Sequence, residues 1–461
     1  MSAMHVAGIS AEQEQAPKST PRLKRQSLSG RPLASAAPER IPGGQCRVAI
    51  VGLGTVGSAV ARLLSQSGAA HPLRLSHMCN RNIARKRLDG MPSRVVWTES
   101  LQRVLDSDAD VIVELIGGLE PARELVASAL RKGKSVVTAN KQLIAYFGSE
   151  LLALARDNRQ YLGFGASVAG GIPVLSALQH GLAGDRLAEI RGILNGTCNY
   201  ILSRIEQAGA SFAAALAEAQ NAGFAEADPT ADIDGHDAAA KLAILARVGL
   251  KIAISPDQVH RQSIRKVDVI DFEHAHELGC TIRQLSTAQL YDGCAYLGVQ
   301  PSLVPQSSPF AKVSGSQNLV VSTGEFGGET SFGGYGAGGN PTAVAVISDI
   351  LQAAAYRRNP DTLPDEAPVA PCELTQDVEA PQYLRFVVRD RPGIIAALAT
   401  VFSRHQLNLY AVLQKPGHPS SALPFVITLE PCAQSRLAAA LDEIGRFDFH
   451  VQQPIAMPIL A

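Results

Sequence analysis

Short apolar runs alternate with longer stretches rich in Ala and Leu through the middle of the chain. Three of these runs contain few polar positions, as expected of strands that are buried on both faces: RVAIVGLG, VIVELIGG and SVVTANK. Each run leads into or follows a stretch whose apolar residues have helical spacing. This alternation predicts an α/β fold with a doubly wound parallel sheet.

The pattern changes near the carboxyl end of the chain. Four strand-like runs are separated there by two helical stretches, 393–405 and 433–445; the runs are YLRFVVRD, LNLYAVLQ, LPFVITLE and FDFHVQQ. The order β-α-β-β-α-β predicts a separate ferredoxin-like module.

Two segments fit neither pattern. Residues 1–45 are rich in Ser, Pro, Ala and Arg and have no apolar period, which predicts a disordered extension. An organellar transit peptide is the alternative, because the segment is rich in Arg and poor in acidic residues.

The second segment, residues 356–382, contains five prolines, which predict an interdomain linker.

Composition narrows the classes of function. The 461 residues carry 42 Lys and Arg against 42 Asp and Glu, so net charge gives no basis for a nucleic-acid or membrane partner and favours a small-molecule substrate. Seven scattered cysteines without a CxxC pair argue against a disulfide framework or a structural zinc site. Because the sequence also has no apolar run of about 18 residues, we predict a cytoplasmic protein.

A glycine-rich motif directly follows the first apolar run. Its glycines let the backbone turn tightly and approach a pyrophosphate, while the helix that it opens supplies N–H donors and the positive end of a dipole. The strand and the helix flank the motif as dinucleotide binding requires. The cofactor-binding residues predicted here are Gly52, Gly54, Thr55, Val56 and Gly57.

The second predicted strand ends without the Asp or Glu that usually bonds the ribose of NAD. Asn80 and Arg81 stand at this place, and a guanidinium can pair with a 2′-phosphate, so NADP is favoured over NAD. The alternative is a solvated basic start of a helix, since Arg85, Lys86 and Arg87 follow.

Candidate chemistry lies in two further places. Lys141 follows the third predicted strand, at the edge where parallel sheets bind ligands, although most lysines are surface charges. An acidic loop precedes a helix on which Asp237 and Lys241 are four residues apart, so that the carboxylate can orient the ammonium. A solvated loop and a metal site are alternatives for the acidic run, but Ala239 at the position of the bidentate Glu excludes an EF-hand.

In their order and spacing, these motifs resemble homoserine dehydrogenase over residues 46–355. The matching segments are GLGTVG from Gly52, ELIGG from Glu114, TANK from Thr138, SVAGGIP from Ser167, NGTCNYIL from Asn195 and the acidic loop. The later module, with DRPG from Asp390, resembles an ACT domain, an amino-acid-sensing unit. The resemblance implies NAD(P)H-dependent interconversion of L-aspartate 4-semialdehyde and L-homoserine, in the pathway to threonine, methionine and isoleucine.

The resemblance also implies roles for individual residues. Lys241 matches the family's proton donor, Asp237 its carboxylate partner and Lys141 the lysine between nicotinamide and substrate. Glu226 matches the residue that binds the substrate's amino group. Further substrate contacts are expected from Asp232 and Thr197, and further cofactor contacts from Arg81, Thr138, Lys141 and Gly338.

A sodium ion held by backbone carbonyls is common in the family. The carbonyls of Val168, Gly170 and Ile172 match that site, but Gly165 stands where a Glu is frequent. Because a charged oxygen is missing there, we expect weak binding of a monovalent cation.

The implied organisation has three domains. A dinucleotide-binding domain covers 46–163 with a returning helix in 333–355, a catalytic and dimerisation domain covers 164–332, and the ACT domain covers 383–461. A homodimer or homotetramer and inhibition by an amino acid, expected to be threonine, are also implied. The alternative function is a catalytically inactive amino-acid sensor that keeps the fold, and the intact Glu226 and Lys241 argue against it.

Overall fold

The computed structural model describes residues 45–66, 72–291, 293–359, 369 and 372–460. The predicted extension, apart from its last residue, lies outside these ranges. Within them, we find no helix with the length and hydropathy that crossing a membrane requires.

The first sheet has six parallel strands. They are β1 Cys46–Val51, β2 Leu73–Cys79, β3 Val96–Thr98, β4 Val111–Glu114, β5 Ser135–Thr138 and β6 Leu162–Gly163, and the helices between them are α1 Thr55–Gln66, α2 Ile83–Lys86, α3 Leu101–Leu105, α4 Ala122–Arg131 and α5 Lys141–Asp157. The strand order β3-β2-β1-β4-β5-β6 is that of a dinucleotide-binding domain. Val48, Ala49 and Ile50 of the central strand are fully buried, and the predicted parallel sheet is confirmed.

The second sheet is mixed. Its strands are β7 Leu187–Ile193, β8 His260–Arg261, β9 Cys280–Tyr291, β10 Cys294–Pro305, β11 Gln317–Gly324, β12 Gly328–Tyr335 and β13 Glu373–Leu374. The helices of this region are α6 Val174–Ser176, α7 Gly196–Ala208, α8 Phe212–Asn221, α9 Thr230–Ile233, α10 His236–Leu245, α11 Val269–Glu277 and α12 Gly339–Arg358. The order is β12-β11-β7-β9-β10-β13, and β8 pairs with β10. Helix α12 returns to the first sheet, where Val346 and Ile350 share a core with Val48 and Ile50.

The third sheet is antiparallel. It consists of β14 Glu379–Val388, β15 Leu409–Gln414, β16 Leu423–Ala433 and β17 His450–Pro458, with helices α13 Ile394–Arg404 and α14 Gln434–Ile444. The strand order β15-β16-β14-β17 confirms the predicted ferredoxin-like module. Alternate residues of β14 face opposite cores: Phe386 packs with the module's own helices, whereas Tyr383 packs with residues of α7 and α11.

Part of the predicted linker is ordered. Helix α12 continues to Arg358, β13 pairs with β10, and β14 begins at Glu379. Pro381 is compatible with β14 because the register with β16 shifts between Ala380 and Gln382, so the proline lies at an irregularity of the ladder. Proline content therefore overstates the length of the connection, and most of 360–371 lies outside the described residues.

Candidate active site

The glycine-rich loop between β1 and α1 leaves room for a ligand only at its middle glycine. Gly52 has a φ of +101°, and a Cβ there lies 2.5 Å from the Leu115 carbonyl oxygen; a Cβ at Gly57 lies 1.9 Å from the Gly52 oxygen. At Gly54, by contrast, a Cβ meets no described atom within 4 Å. The loop therefore has the open backbone that a pyrophosphate needs at the start of a helix.

The other predicted cofactor residues lie around this loop. Asn80 accepts a hydrogen bond from the Leu53 N–H at 3.3 Å, so the end of β2 holds the loop in place. Arg81 is exposed beside it and has no hydrogen-bond or ion-pair partner within the described ranges. Gly338, with a φ of +122°, precedes α12, and a Cβ at Gly339 lies 3.1 Å from Thr55 Cγ2, so the start of α12 adjoins the start of α1.

A buried carboxylate orders the edge of the sheet at which Lys141 lies. Glu114 accepts hydrogen bonds from the Ile116 N–H at 2.8 Å and from the Thr138 hydroxyl at 2.6 Å. The Thr138 oxygen in turn accepts from the Asn140 N–H at 2.9 Å. Since Thr138 is fully buried, its side chain orders the loop, and its contact with a cofactor stays a prediction.

Two lysines from separate segments meet at one carboxylate. Lys141, the first residue of α5, lies with its Nζ 2.7 Å from Asp237 Oδ1, and Lys241 lies with its Nζ 2.8 Å from Asp237 Oδ2. Lys241 also donates to the Leu194 carbonyl at 2.8 Å. Because an ammonium has three N–H donors, Lys241 keeps one for a ligand.

The charges of this cluster shift its acid–base equilibria. Burial would raise the pKa of Asp237, but the two ammonium groups outweigh it and hold that pKa well below its usual range. Burial lowers the pKa of Lys141, but the attraction of Asp237, with smaller contributions from Asp232 and Glu226, raises it overall. Burial and the nearby Asp237 raise the pKa of Asp232. The site therefore keeps Asp237 ionised and Lys141 protonated around neutral pH.

The predicted substrate residues lie beside this cluster. Asp232 is half-buried and accepts a hydrogen bond from the Asn195 side chain at 2.7 Å. The Thr197 hydroxyl donates to the Phe224 carbonyl at 2.7 Å, which leaves its oxygen free to accept. Glu226 is exposed on the loop before α9. Asn195 opens the matching segment NGTCNYIL, but neither that segment nor the helix cap that it predicts gives the residue a role in the site.

At the expected cation site, one of the three predicted carbonyls already accepts a hydrogen bond. Among the residues that the structure describes, no three His, Cys, Asp or Glu side chains cluster as a metal site needs. At Gly165 a Cβ lies 2.9 Å from Asp349 Oδ1, so a glutamate cannot stand there unless Asp349 moves. The Ile172 carbonyl accepts the Val174 N–H at 2.8 Å. The cation stays a prediction, and no step below uses one.

Known proteins resemble this chain in both sequence and fold. Family models match three consecutive parts of the chain: the NAD binding domain of homoserine dehydrogenase over 52–164, homoserine dehydrogenase over 173–351 and the ACT domain over 382–448. The homoserine dehydrogenase of Mycobacterium tuberculosis is 41% identical over 384 residues, covering 80% of this chain and 86% of its own. The chain belongs to the homoserine dehydrogenase family. It is an NAD(P)-dependent oxidoreductase that interconverts L-aspartate 4-semialdehyde and L-homoserine.

Further homoserine dehydrogenases support the family assignment. That of Bacillus subtilis is 38% identical over 395 residues, covering 83% of this chain and 91% of its own. The crystal structure from Thiobacillus denitrificans has a TM-score of 0.84 at 33% identity and covers 90% of this chain and 98% of its own. A hyperthermophilic archaeal homoserine dehydrogenase in complex with NADPH has a TM-score of 0.60 at 26% identity, covering 70% and 100%. The enzyme class and the ACT domain predicted from the sequence are confirmed.

One segment of this homoserine dehydrogenase contacts both the ACT sheet and the acidic loop. The Gln262 amide donates to the Ala456 carbonyl of β17 at 2.9 Å. Three residues later, Arg265 donates to Asp234 Oδ1 at 2.9 Å, and Asp234 lies two residues beyond Asp232. Residues 262–266, here called the bridging segment, therefore connect the ACT domain to the acidic loop that contains Asp234.

Proposed function

We propose that Lys241, Lys141 and Asp237 carry out the homoserine dehydrogenase reaction together. The observation that supports this is the convergence of both ammonium groups on Asp237, at 2.7 and 2.8 Å. A carboxylate between two ammonium groups leaves a net positive charge, which suits an oxygen that becomes negative in the transition state.

In the direction of aldehyde reduction, Lys241 donates its remaining N–H to the aldehyde oxygen. A nicotinamide cofactor held at the glycine-rich loop from Gly52 to Gly57 would supply the hydride for the aldehyde carbon. As negative charge develops, Lys241 transfers its proton to the oxygen, and Lys141 stays charged and stabilises the same atom. In the direction of oxidation, Lys241 takes the proton from the homoserine hydroxyl. Asp237 orients both lysines throughout.

The substrate's amino group is placed by carboxylates in this proposal. Glu226 precedes α9 and Asp232 lies within it, and the charges of both raise the pKa of Lys141, which supports this placement. Two carboxylates attract an ammonium, whereas the aldehyde end is attracted to the lysines. Thr197 offers a hydroxyl oxygen to the same substrate.

Replacement of Lys241 tests the proposal directly. We expect Lys241→Ala to lower kcat for homoserine oxidation by about 10³-fold or more, because proton transfer and electrostatic stabilisation are both lost. Lys132→Ala, which removes an exposed ion pair with Asp106, is the control and should leave kcat within about twofold. A Lys241→Ala enzyme with nearly normal kcat contradicts the proposal.

We further propose NADP as the preferred cofactor. Arg81 supports this preference, because its exposed guanidinium lies at the end of β2 where a 2′-phosphate would bind. Arg81→Ala should raise KM for NADPH by about tenfold and leave KM for NADH unchanged. Arg62→Ala, further along α1, is the control. An equal effect on both cofactors contradicts the preference.

Threonine is the proposed effector, and paired ACT domains in a homodimer or homotetramer are its proposed binding place. The edge strand β15 supports such pairing, since Tyr410 is 75% and Val412 is 47% exposed there. The seven cysteines are free thiols, which supports the proposed cytoplasmic location.

The bridging segment gives the proposed regulation a route to the site. Gln262→Leu removes the link to Ala456, so we expect the threonine concentration for half-inhibition to rise several-fold, with kcat in its absence within about twofold. Gln258→Leu, in the short turn before β8, serves as the control. Unchanged inhibition in Gln262→Leu contradicts this route.

A further inference from the structure

A buried asparagine joins the two carboxylates of the site. Asn195 is 4% exposed, and its amide nitrogen donates to Asp232 Oδ1 at 2.7 Å and to Asp237 Oδ2 at 2.9 Å. Its amide oxygen accepts the Cys198 N–H at 2.8 Å and so caps α7. Since a backbone N–H requires an acceptor, this bond determines that the amide nitrogen faces the carboxylates.

The amide thus lies between two carboxylates that repel each other. Asp237 Oδ2 accepts from both Asn195 and Lys241, whereas Asp232 forms no salt bridge in the part of the chain that the structure describes. Burial and Asp237 raise the pKa of Asp232, and the hydrogen bond from Asn195 lowers it. Without this donor, proton uptake by Asp232 is the simplest relief of the repulsion.

We propose that Asn195 is a positioning residue for homoserine oxidation: its two amide hydrogens hold the carboxylate of Asp232 beside that of Asp237, so that Asp237 can orient Lys241. The other charged groups around this pair are Lys141 from α5 and Glu226 from the acidic loop. The inference rests on the proposed roles of Asp237 and Lys241.

Asn195→Asp tests the role of the amide hydrogens. Aspartate keeps the helix cap, because it can still accept the Cys198 N–H, but an ionised aspartate has no hydrogen to donate. Its protonated form can donate one hydrogen bond, whereas its ionised form adds a third negative charge. Relative to wild type, we expect kcat/KM for homoserine to fall by about tenfold at pH 6 and by about 100-fold or more at pH 9.

Asn195→Ser tests the same role without adding a charge. Serine also caps a helix, but a single hydroxyl cannot serve both carboxylates. Asp232 then takes up a proton more readily, so the loss of kcat/KM relative to wild type should be greatest at low pH. The two variants therefore have opposite pH dependences, and if Asn195→Asp does not fold, the serine variant decides.

Asn199→Ser, which adds no titratable group, is the matched control for Asn195→Ser. Asn199 is 1% exposed and donates to the Gly315 carbonyl at 2.9 Å, away from the carboxylates. Its substitution should lower stability but give a ratio of kcat/KM to wild type that is constant with pH. Constant ratios in both Asn195 variants overturn the inference. If Lys241→Ala also stays active, the proposed catalytic roles fail instead, so the two failures are distinguishable.

Discussion

Two buried aspartates of this enzyme differ in their partners rather than in their burial. Asp237 is 6% exposed and Asp349 is 7% exposed. Asp237 lies between two ammonium groups, which hold its pKa well below the usual range. Asp349 accepts the Gly165 N–H at 2.8 Å and has no ion-pair partner among the described residues. Burial therefore raises the pKa of Asp349 to about 7.

The difference separates the roles that we propose for the two carboxylates. A buried group that remains charged over the working pH range can hold lysines in place, and its ionisation is maintained by the lysines that it orients. A buried group without a cation changes its charge near neutral pH and affects stability instead. Three substitutions test this comparison.

Asp237→Asn should have the largest effect. The amide keeps the size of the side chain but removes the charge, and two ammonium groups lose their counter-ion in a largely buried site. We expect kcat/KM for homoserine to fall by about 10³-fold. Asp349→Asn is the matched control and should stay within a few-fold of wild type. Equal losses of activity in the two variants would falsify the comparison.

Asp349→Asn should change the pH dependence of stability. A pKa of about 7 in the folded state exceeds the ordinary value of 3.8, so the folded protein binds this proton more tightly than the unfolded chain. The free energy of unfolding of the wild type therefore falls by up to about 4 kcal/mol as pH rises from about 4 to about 7.

Asparagine cannot ionise and does not lose stability in this way. The free energy of unfolding of Asp349→Asn, measured with urea, should therefore rise relative to that of wild type as pH increases from 5 to 8. For Asp237→Asn, the difference from wild type in the free energy of unfolding should stay constant over the same pH range. The reason is that the low pKa of Asp237 confines its proton uptake to pH values below about 4. A constant difference for Asp349→Asn contradicts the account of that residue.

Gly165→Ala should have the smallest effect. The new Cβ lies 2.9 Å from Asp349 Oδ1, so the carboxylate has to shift, and we expect a loss of about 1–2 kcal/mol in the free energy of unfolding. Activity should stay within about twofold of wild type, because the strain acts on Asp349 and not on Asp237. Gly181→Ala, where no described atom lies within 4 Å of the added Cβ, is the control. A large loss of kcat in Gly165→Ala would link Asp349 to the reaction.

The sequence predicts those parts of the site that local patterns determine. The glycine loop is recognisable because a strand and a helix flank it, and Asp237 and Lys241 are recognisable because a helix places residues four apart on one face. The sequence does not predict the contact of Lys141 with Asp237, because the family resemblance places Lys141 only between nicotinamide and substrate and 96 positions separate the two residues along the chain.

Other features depend on long-range packing that sequence patterns do not encode. Asn195 reaches Asp232 and Asp237 from the start of α7, and Glu114 orders the loop before Lys141 through the Thr138 hydroxyl. The ordered ends of the predicted linker are a further example, because pairing with strands remote in sequence overrides the local effect of proline.

A double-mutant cycle tests the central claim, that Lys141 and Lys241 act on one reacting oxygen. The measurement is kcat for homoserine oxidation in Lys141→Met, Lys241→Ala and the double variant. If both ammonium groups serve the same atom through Asp237, the double variant should lose much less than the product of the two single losses. Strictly multiplicative losses, or a Lys141→Met enzyme with wild-type kcat, would contradict the account.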